Sequence, residues 1–427
     1  GTVLILPTTG LSLSRPLPAR IHSSIISHLE KHNILTDCQH GFRKRRSCET
    51  QLLLTIDDLA KGLNNKQQIN AVLLDFSKAF DKIPHQRLLL KLNHYGVRNN
   101  ILSWIKDFLS ARTQEVVIDG SKSTPAPVTS GVPQGTVLGP LLFLAYINDM
   151  PECVKSNIKL FADDSLLYRK VQHNSDCIQL QQDLDSLQVW ERKWQMAFNA
   201  DKCEVLRITN KRRPICADYY IHNQKLATKT DAKYLGVTIS NDLSWSKHTD
   251  NVTKKANSTM AFLRRNIRSA PQAAKKTAYK TFVKPTLEYA STTWAPHTDT
   301  DIRKLEMVQR RAVRFVFNDY QRTSSVTEMM EKLGWQTLQQ RRDYARLTMM
   351  YRIVHPLVDI PAEPYLTPLT GRTRGHDSRF RQIQTSYTGY QYSFFPRTII
   401  LWNQLPQSAV SQSTLEAFQR QLAAYTN

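Results

Sequence analysis

Ile158-Lys159-Leu160-Phe161-Ala162-Asp163-Asp164-Ser165-Leu166-Leu167-Tyr168 sets two adjacent carboxylates between two stretches of strand-forming residues. Leu160 and Ala162 alternate with Lys159 and Phe161, and Leu166 to Tyr168 again favour extended backbone. The reading is a tight hairpin presenting Asp163 and Asp164. Like charges this close raise each other's pKa unless cations neutralise them. Oxygen ligands at a short turn suit Mg²⁺, which binds through one or two carboxylates plus substrate phosphates. An isolated Asp-Asp pair is more often an ordinary polar turn, so its company decides.

That company begins upstream, where Asn70-Ala71-Val72-Leu73-Leu74-Asp75-Phe76-Ser77-Lys78-Ala79-Phe80-Asp81 gives a short apolar run ending in an acid. Runs such as Ala71 to Leu74 read as buried central strands. If this strand neighbours the hairpin, Asp75 meets Asp163 and Asp164 and three carboxylates converge on a site for two metal ions. Phosphoryl transfer uses such a pair of ions about 3.5 to 4 Å apart. The competing reading of Asp75 is a helix N-cap for Ser77 to Lys82.

Asp75-Phe76-Ser77-Lys78-Ala79-Phe80-Asp81, Ser130-Gly131-Val132-Pro133-Gln134-Gly135-Thr136-Val137-Leu138-Gly139-Pro140 and Phe161-Ala162-Asp163-Asp164 resemble, in order and spacing, motifs A, B and C of a reverse transcriptase. Gln39-His40-Gly41-Phe42-Arg43-Lys44-Arg45-Arg46-Ser47 is similar to the fingers motif of the non-LTR (LINE-type) retrotransposon enzymes, nearest to their jockey-like and chicken-repeat-like groups. Phe198-Asn199-Ala200-Asp201-Lys202-Cys203 resembles motif D, and Tyr234-Leu235-Gly236-Val237 resembles motif E, the primer grip. Six motifs in order weigh far more than any one of them. The tail, with Ser393-Phe394-Phe395-Pro396-Arg397-Thr398 and Leu401-Trp402-Asn403, is also similar to that group, with no chemistry attached.

The resemblance implies a right-hand polymerase of α+β class: partial fingers over 1–69, a ferredoxin-like palm over 70–245, a helical basic thumb over 246–320, and a C-terminal extension over 321–427. It implies that Asp75, Asp163 and Asp164 are catalytic and hold two Mg²⁺ ions, and that Lys202 protonates departing pyrophosphate, although a lone lysine is usually a solvated charge. Phe76, Phe80, Gln134, Gly135, Arg43 and Arg46 are the implied nucleotide contacts, and Tyr234, Leu235 and Gly236 the primer grip. Phe80 matches the steric gate that excludes a ribose 2′-hydroxyl; plain core packing beside Phe76 is the other use of such a ring. The implied partners are an RNA template, a DNA primer or target and deoxynucleoside triphosphates.

Composition agrees with a polyanionic partner. Lys plus Arg number 58 against 36 Asp plus Glu, a formal charge of +22. From Lys247 to Arg314 the excess sharpens along a helical pattern that holds Lys254, Lys255, Arg264, Arg265, Lys275, Lys304 and Arg311 among others, with few acids. Cys38, Cys48, Cys153, Cys177, Cys203 and Cys216 include no CxxC pair, so the pattern suits reduced thiols in an intracellular protein, with no zinc knuckle after Cys216; the resemblance implies the nucleus or a cytoplasmic ribonucleoprotein. No apolar run approaches the roughly 18 residues a membrane span needs.

Helical spacing of Ile21, Ile25, Ile26 and Leu29, and of Leu52, Leu53, Ile56, Leu59 and Leu63, flanks the Arg43 to Arg46 loop with helices. Leu180, Leu184, Leu187 and Trp190 predict a long helix over Asp176 to Met196, and residues 246 to 354 read as all-helical. Residues 355 to 400, rich in Pro, Gly, Arg and Tyr, read as irregular. Gly1 to Arg20 lacks the Arg-Pro-Ile-Ser-Leu-like fingers segment of the family, with only a faint echo in Leu13 to Pro18, so the chain reads as N-terminally incomplete. Arg15 or the Arg43 to Arg46 loop is then left to clamp the triphosphate. Two rivals stand beside the polymerase: a remnant that binds nucleic acid without chemistry, and an RNA-dependent RNA polymerase, against which Phe80 argues.

Overall fold

The computed structural model describes residues 4–7, 16–369 and 375–426. Arg15 and the first half of the Leu13 to Pro18 echo lie outside them. Two compact units interleave along the chain. One gathers residues up to Arg43 with Asn70–Val205 and Ile215–Thr228, and the other gathers Lys44–Ile69, Leu206–Pro214 and everything from Lys229 on.

In chain order the first half contains β1 (Leu4–Pro7), α1 (Pro16–Lys31), α2 (Cys48–Asn64), β2 (Gln68–Leu74), α3 (His85–His94), α4 (Asn99–Leu109), β3 (Thr113–Ile118), β4 (Ser121–Lys122), β5 (Ala126–Pro127), α5 (Leu138–Ile147), β6 (Asn157–Phe161), β7 (Asp164–Val171) and α6 (Asn174–Trp194). Then come β8 (Glu204–Ile208), β9 (Tyr220–Ile221), β10 (Gln224–Lys225), β11 (Ala227–Lys229), β12 (Asp231–Tyr234) and β13 (Val237–Ser240).

The first unit is built on a sheet of order β11-β8-β2-β7-β6, with β8 and β11 running out across its boundary. β2 is central and almost wholly buried, as its apolar run requires, and it lies directly beside β7. β6 and β7 form an antiparallel hairpin in which Phe161 faces Asp164, so the turn itself is Ala162-Asp163 and Asp164 already belongs to the strand. α5 is apolar on every side, and a helix of that kind must be buried all round. It contributes Leu141, Leu142, Phe143 and Ile147 to the core that also holds Val72, Leu74, Leu160 and Leu167. α6 covers the unit with Leu180, Leu184, Leu187 and Trp190. A β3-β4 hairpin turns at Asp119 and Gly120, both at positive φ, the twist-compatible choice for a two-residue loop. After β2 the chain from Ser77 to Lys82 makes turns and no helix, so Asp75 is not an N-cap.

The second unit holds α2, the β12-β13 hairpin and the helices α7 (Ser246–Asn266), α8 (Gln272–Ala278), a π-helical turn at Tyr279–Val283, α9 (Lys284–Glu288), α10 (Ser291–Trp294), α11 (Asp299–Phe317), α12 (Val326–Leu333), α13 (Leu338–Val354), α14 (Thr388–Gln391), α15 (Phe394–Asn403), α16 (Gln407–Val410) and α17 (Leu415–Thr426). Its basic region presents Lys254, Lys255, Arg264, Arg265 and Arg311 to solvent. Lys275 is buried against the Phe315 ring, however, and Lys304 is paired with Asp250 and Asp301. The region read as irregular contains α14 and α15. Pro396 stands in the first turn of α15, where its missing N–H costs nothing, while Phe395, Ile399 and Trp402 line the buried side. These tail residues share one core with Tyr351, Phe418 and, from α2, Leu53 and Leu54.

Within that core Asp57 of α2 is only 3% exposed and one carboxylate oxygen has no hydrogen-bond partner. Burial, and then Asp58, push its pKa to about 7. A raised folded-state value means stability that is complete at acid pH, below the unfolded value near 4, and drains away as pH climbs to about 7. Asp57→Asn removes that drain. Urea unfolding at pH 5 and pH 8 should show the variant's advantage over wild type widening by roughly 3 kcal/mol; an advantage that does not change with pH would mean Asp57 is not protonated in the folded chain.

Candidate active site

The site of the first unit assembles at the ends of β2 and the β6-β7 hairpin. Asp75 leaves β2 at its C-terminal end, and its backbone carbonyl accepts the amide of Asn199 at 2.8 Å. Ser77 donates its amide to Ala197 at 2.7 Å, and Phe76 stacks on Phe198 with ring centroids 4.5 Å apart. These contacts dock the Phe198 to Cys203 turn against the strand exit and bring the Lys202 ammonium within 3.7 Å of Asp75 Oδ2. Asp163 and Asp164 both have raised pKa values. For Asp163 burial is the main cause, with Asp75 adding to it. For Asp164 burial leads, followed by Asp163 and then Asp75. Both hairpin acids therefore sense Asp75, which follows the neighbouring strand β2.

Among the described residues no group of three or more Asp, Glu, His or Cys side chains is gathered closely enough to form a ready metal cage. Mg²⁺ needs none, since it retains waters and uses substrate phosphates as ligands. What fits a cation is the donor set itself: hard carboxylate oxygens only, their charges mutually unfavourable, with Asp75 Oδ2 lacking any hydrogen bond.

The loop Ser130 to Gly139 runs beside the Ser77 to Lys82 turns. Gly131 has φ +89°, and a Cβ there would meet the Asp81 backbone at 2.7 Å, so glycine is needed for both conformation and space. Gly135 also has positive φ, at +77°. Gln134 is exposed and donates from Nε2 to Asp81 Oδ1 at 3.3 Å. Phe80 is half-buried and stacks on Phe143 with centroids 4.4 Å apart. A cleft of about 620 Å³ opens here, lined by Lys78, Asp81, Arg112, Ser130, Gly131 and Gln134 among others. Lys78 and Arg112 were not singled out in the sequence; an isolated cation carries no signal until the fold places it.

Other expected residues fall differently. Arg43 donates to the Thr36 carbonyl at 3.2 Å. Arg46 belongs to the second unit, where its side chain is 6% exposed and its Nε meets Asp359 Oδ2 at 2.6 Å. To clamp a triphosphate, as its sequence reading has it, Arg46 would have to exchange this carboxylate for a phosphate. Tyr234, Leu235 and Gly236 are also in the second unit, at the turn of the β12-β13 hairpin. Leu235 and Gly236 both take positive φ, Tyr234 is buried with its hydroxyl accepting from Gln51 Nε2 at 3.0 Å, and Tyr289 donates to the Leu235 carbonyl at 3.0 Å.

One set of contacts had no assigned role in the sequence. Gln39, 2% exposed, accepts the Ala162 amide on its Oε1 at 2.9 Å and donates from Nε2 to the Ala162 carbonyl at 3.3 Å.

The chain belongs to the family described as reverse transcriptase (RNA-dependent DNA polymerase), which it matches over residues 10–239. It is similar to the RNA-directed DNA polymerase from mobile element jockey of Drosophila melanogaster, 28% identical over 347 residues, covering 77% of this chain and 37% of the relative. It is also similar to the probable RNA-directed DNA polymerase from transposon X-element of the same fly, 28% identical over 317 residues, covering 71% of this chain and 34% of the relative. The chain thus spans about a third of the length of these relatives. Among solved structures it is similar to apo telomerase from Candida tropicalis, at 10% identity and a TM-score of 0.42 over 70% of this chain and 50% of that one, a level too low to define the fold.

Proposed function

We propose that the chain is the RNA-directed DNA polymerase of a non-LTR retrotransposon, extending a DNA 3′-hydroxyl with deoxynucleoside triphosphates on an RNA template. The observation that carries this reading is that β2, which ends just before Asp75, lies beside β7, which begins at Asp164, with Asp75 raising the pKa of both Asp163 and Asp164. In it, residues 70–245 form the ferredoxin-like palm, 246–320 the basic thumb that follows the nucleic acid, 1–69 part of the fingers, and 321–427 an extension. A bound pair of Mg²⁺ ions would lower the pKa of the attacking hydroxyl and stabilise the leaving oxygen. Asp75, Asp163 and Asp164 would hold them. Lys202, ion-paired with Asp75 at 3.7 Å, would give a proton to departing pyrophosphate. The motif B loop, with Gly131, Gln134 and Gly135, would carry the incoming nucleotide, with Lys78 and Arg112 as cations beside it. The net charge of +22 supports a nucleic-acid partner whose affinity falls steeply with salt. No helix among the described residues is long and apolar enough to cross a membrane.

Phe80 is braced on Phe143, and a ring held that way can bar a 2′-hydroxyl while also closing the core. This favours DNA over RNA synthesis. Phe80→Val should raise ribonucleotide incorporation at least tenfold relative to deoxynucleotide, measured as a ratio of kcat/KM values; an unchanged ratio would leave Phe80 as core alone. The experiment that tests the function is primer extension on an RNA template.

A further inference from the structure

We propose that Gln39 is a positioning residue of the candidate active site: its side chain clamps the Ala162 peptide and thereby fixes where the hairpin carries Asp163. The inference rests on the reading of Asp163 as a metal-holding catalytic acid. Ala162 has φ +52°, a left-handed conformation that costs a non-glycine residue about 1 to 3 kcal/mol unless its surroundings enforce it. The enforcing group is one amide. Gln39 Oε1 accepts the Ala162 N–H at 2.9 Å and the Gly41 N–H at 2.7 Å, while Nε2 donates to the Ala162 carbonyl at 3.3 Å.

Both polar groups of the residue immediately before Asp163 are therefore satisfied by a single side chain 123 positions away in sequence. The backbone around Gln39 is itself tied to β6: His40 donates to Leu160 and Leu160 donates to Cys38, each at 2.8 Å. The clamp thus stands on the strand that leads into the turn, and it cannot move independently of it. A two-residue turn offers few other restraints. Without the amide, the Ala162 peptide can rotate toward a conformation that alanine prefers, and the carboxylate next in the chain moves with it. Reacting geometry tolerates little of this, since a misplacement of about 1 Å can cost on the order of 10²-fold in rate.

Burial alone would make Gln39 a packing residue, and the two roles separate experimentally. Gln39→Met keeps the length and loses all three bonds. Gln39→Asn keeps the amide but is one methylene too short to span the peptide, and it carries the test if the Met variant does not fold. Asn70→Val is the control: Asn70 is fully buried in the same unit, and its side chain bonds the Tyr219 hydroxyl at 2.7 Å and approaches Cys177 Sγ at 3.8 Å.

The measurements are kcat, KM for deoxynucleotide, primer–template affinity and the Mg²⁺ concentration giving half-maximal rate. The clamp predicts kcat down about 10²-fold, the Mg²⁺ midpoint raised several-fold, and KM and primer–template affinity within about twofold of wild type. The Asn70→Val control should show kcat and the Mg²⁺ midpoint near wild type at a similar loss of Tm. Gln39 variants that match the control in kcat and Mg²⁺ midpoint would overturn the clamp while leaving the polymerase reading intact. A wild-type chain that extends no primer would remove that reading and the clamp with it.

Discussion

Asp163→Ala, and separately Asp75→Ala, will reduce RNA-templated primer extension by at least about 10³-fold while leaving primer–template affinity within a few-fold of wild type. Each substitution removes a carboxylate at the point where the ends of β2 and the β6-β7 hairpin meet, and with it Lewis-acid stabilisation worth several kcal/mol, at about 1.4 kcal/mol per tenfold in rate. Affinity is spared because the exposed cations of α7, among them Lys254, Lys255, Arg264 and Arg265, are untouched. A second readout separates lost chemistry from lost structure. The metal-free Asp163→Ala chain should be at least as heat-stable as wild type, since Asp163 is one of three mutually unfavourable charges. Near-normal turnover in either variant would sink the assignment of the acids.

Gly41→Ala will be nearly as damaging although it removes no functional group. A Cβ at Gly41 would stand 2.3 Å from the Ala162 amide nitrogen and 3.0 Å from Gln39 Oε1, so the Gln39 to Gly41 segment and the hairpin turn cannot both keep their places. Overpacking of this kind typically costs 1 to 3 kcal/mol, which the first unit should survive, but the displaced turn should lower kcat by about 10²-fold. Thermal melting and steady-state extension on the same preparation check both halves. A variant that retains kcat would show that the hairpin tolerates the shift and that Asp163 is not held by this contact.

The parts legible in the sequence are those governed by local periodicity. The apolar run ending at Asp75, the alternation around Asp163, and the leucine spacing of α2 and α6 each specify an element through neighbours a few residues away, and α6 formed within two residues of its expected bounds. Long-range pairing was not legible. Gln39 and Ala162 are 123 residues apart, Arg46 and Asp359 are 313 apart, and nothing in either local sequence marks one for the other. Arg46 therefore read as a free cation in a basic loop, and Gln39 as one letter of a motif. The tail misled for a different reason: Pro396 and the aromatic residues looked like loop composition, yet a proline in the first helical turn is harmless, and the aromatic residues are the buried face of α15. Ala162 could not have been foreseen at positive φ, because the favoured residue there is glycine and the clamp that overrides the preference comes from another part of the chain.

The most direct measurement is extension of a labelled DNA primer on an RNA template by the purified 427-residue chain with Mg²⁺ and all four deoxynucleotides, run beside Asp75→Ala. Full-length DNA product that requires Mg²⁺ and deoxynucleotides, and that disappears in the variant, is the predicted result. Tight binding of the primer–template by the wild-type chain with no nucleotide added under any metal condition would contradict the account and leave a nucleic-acid-binding remnant in its place.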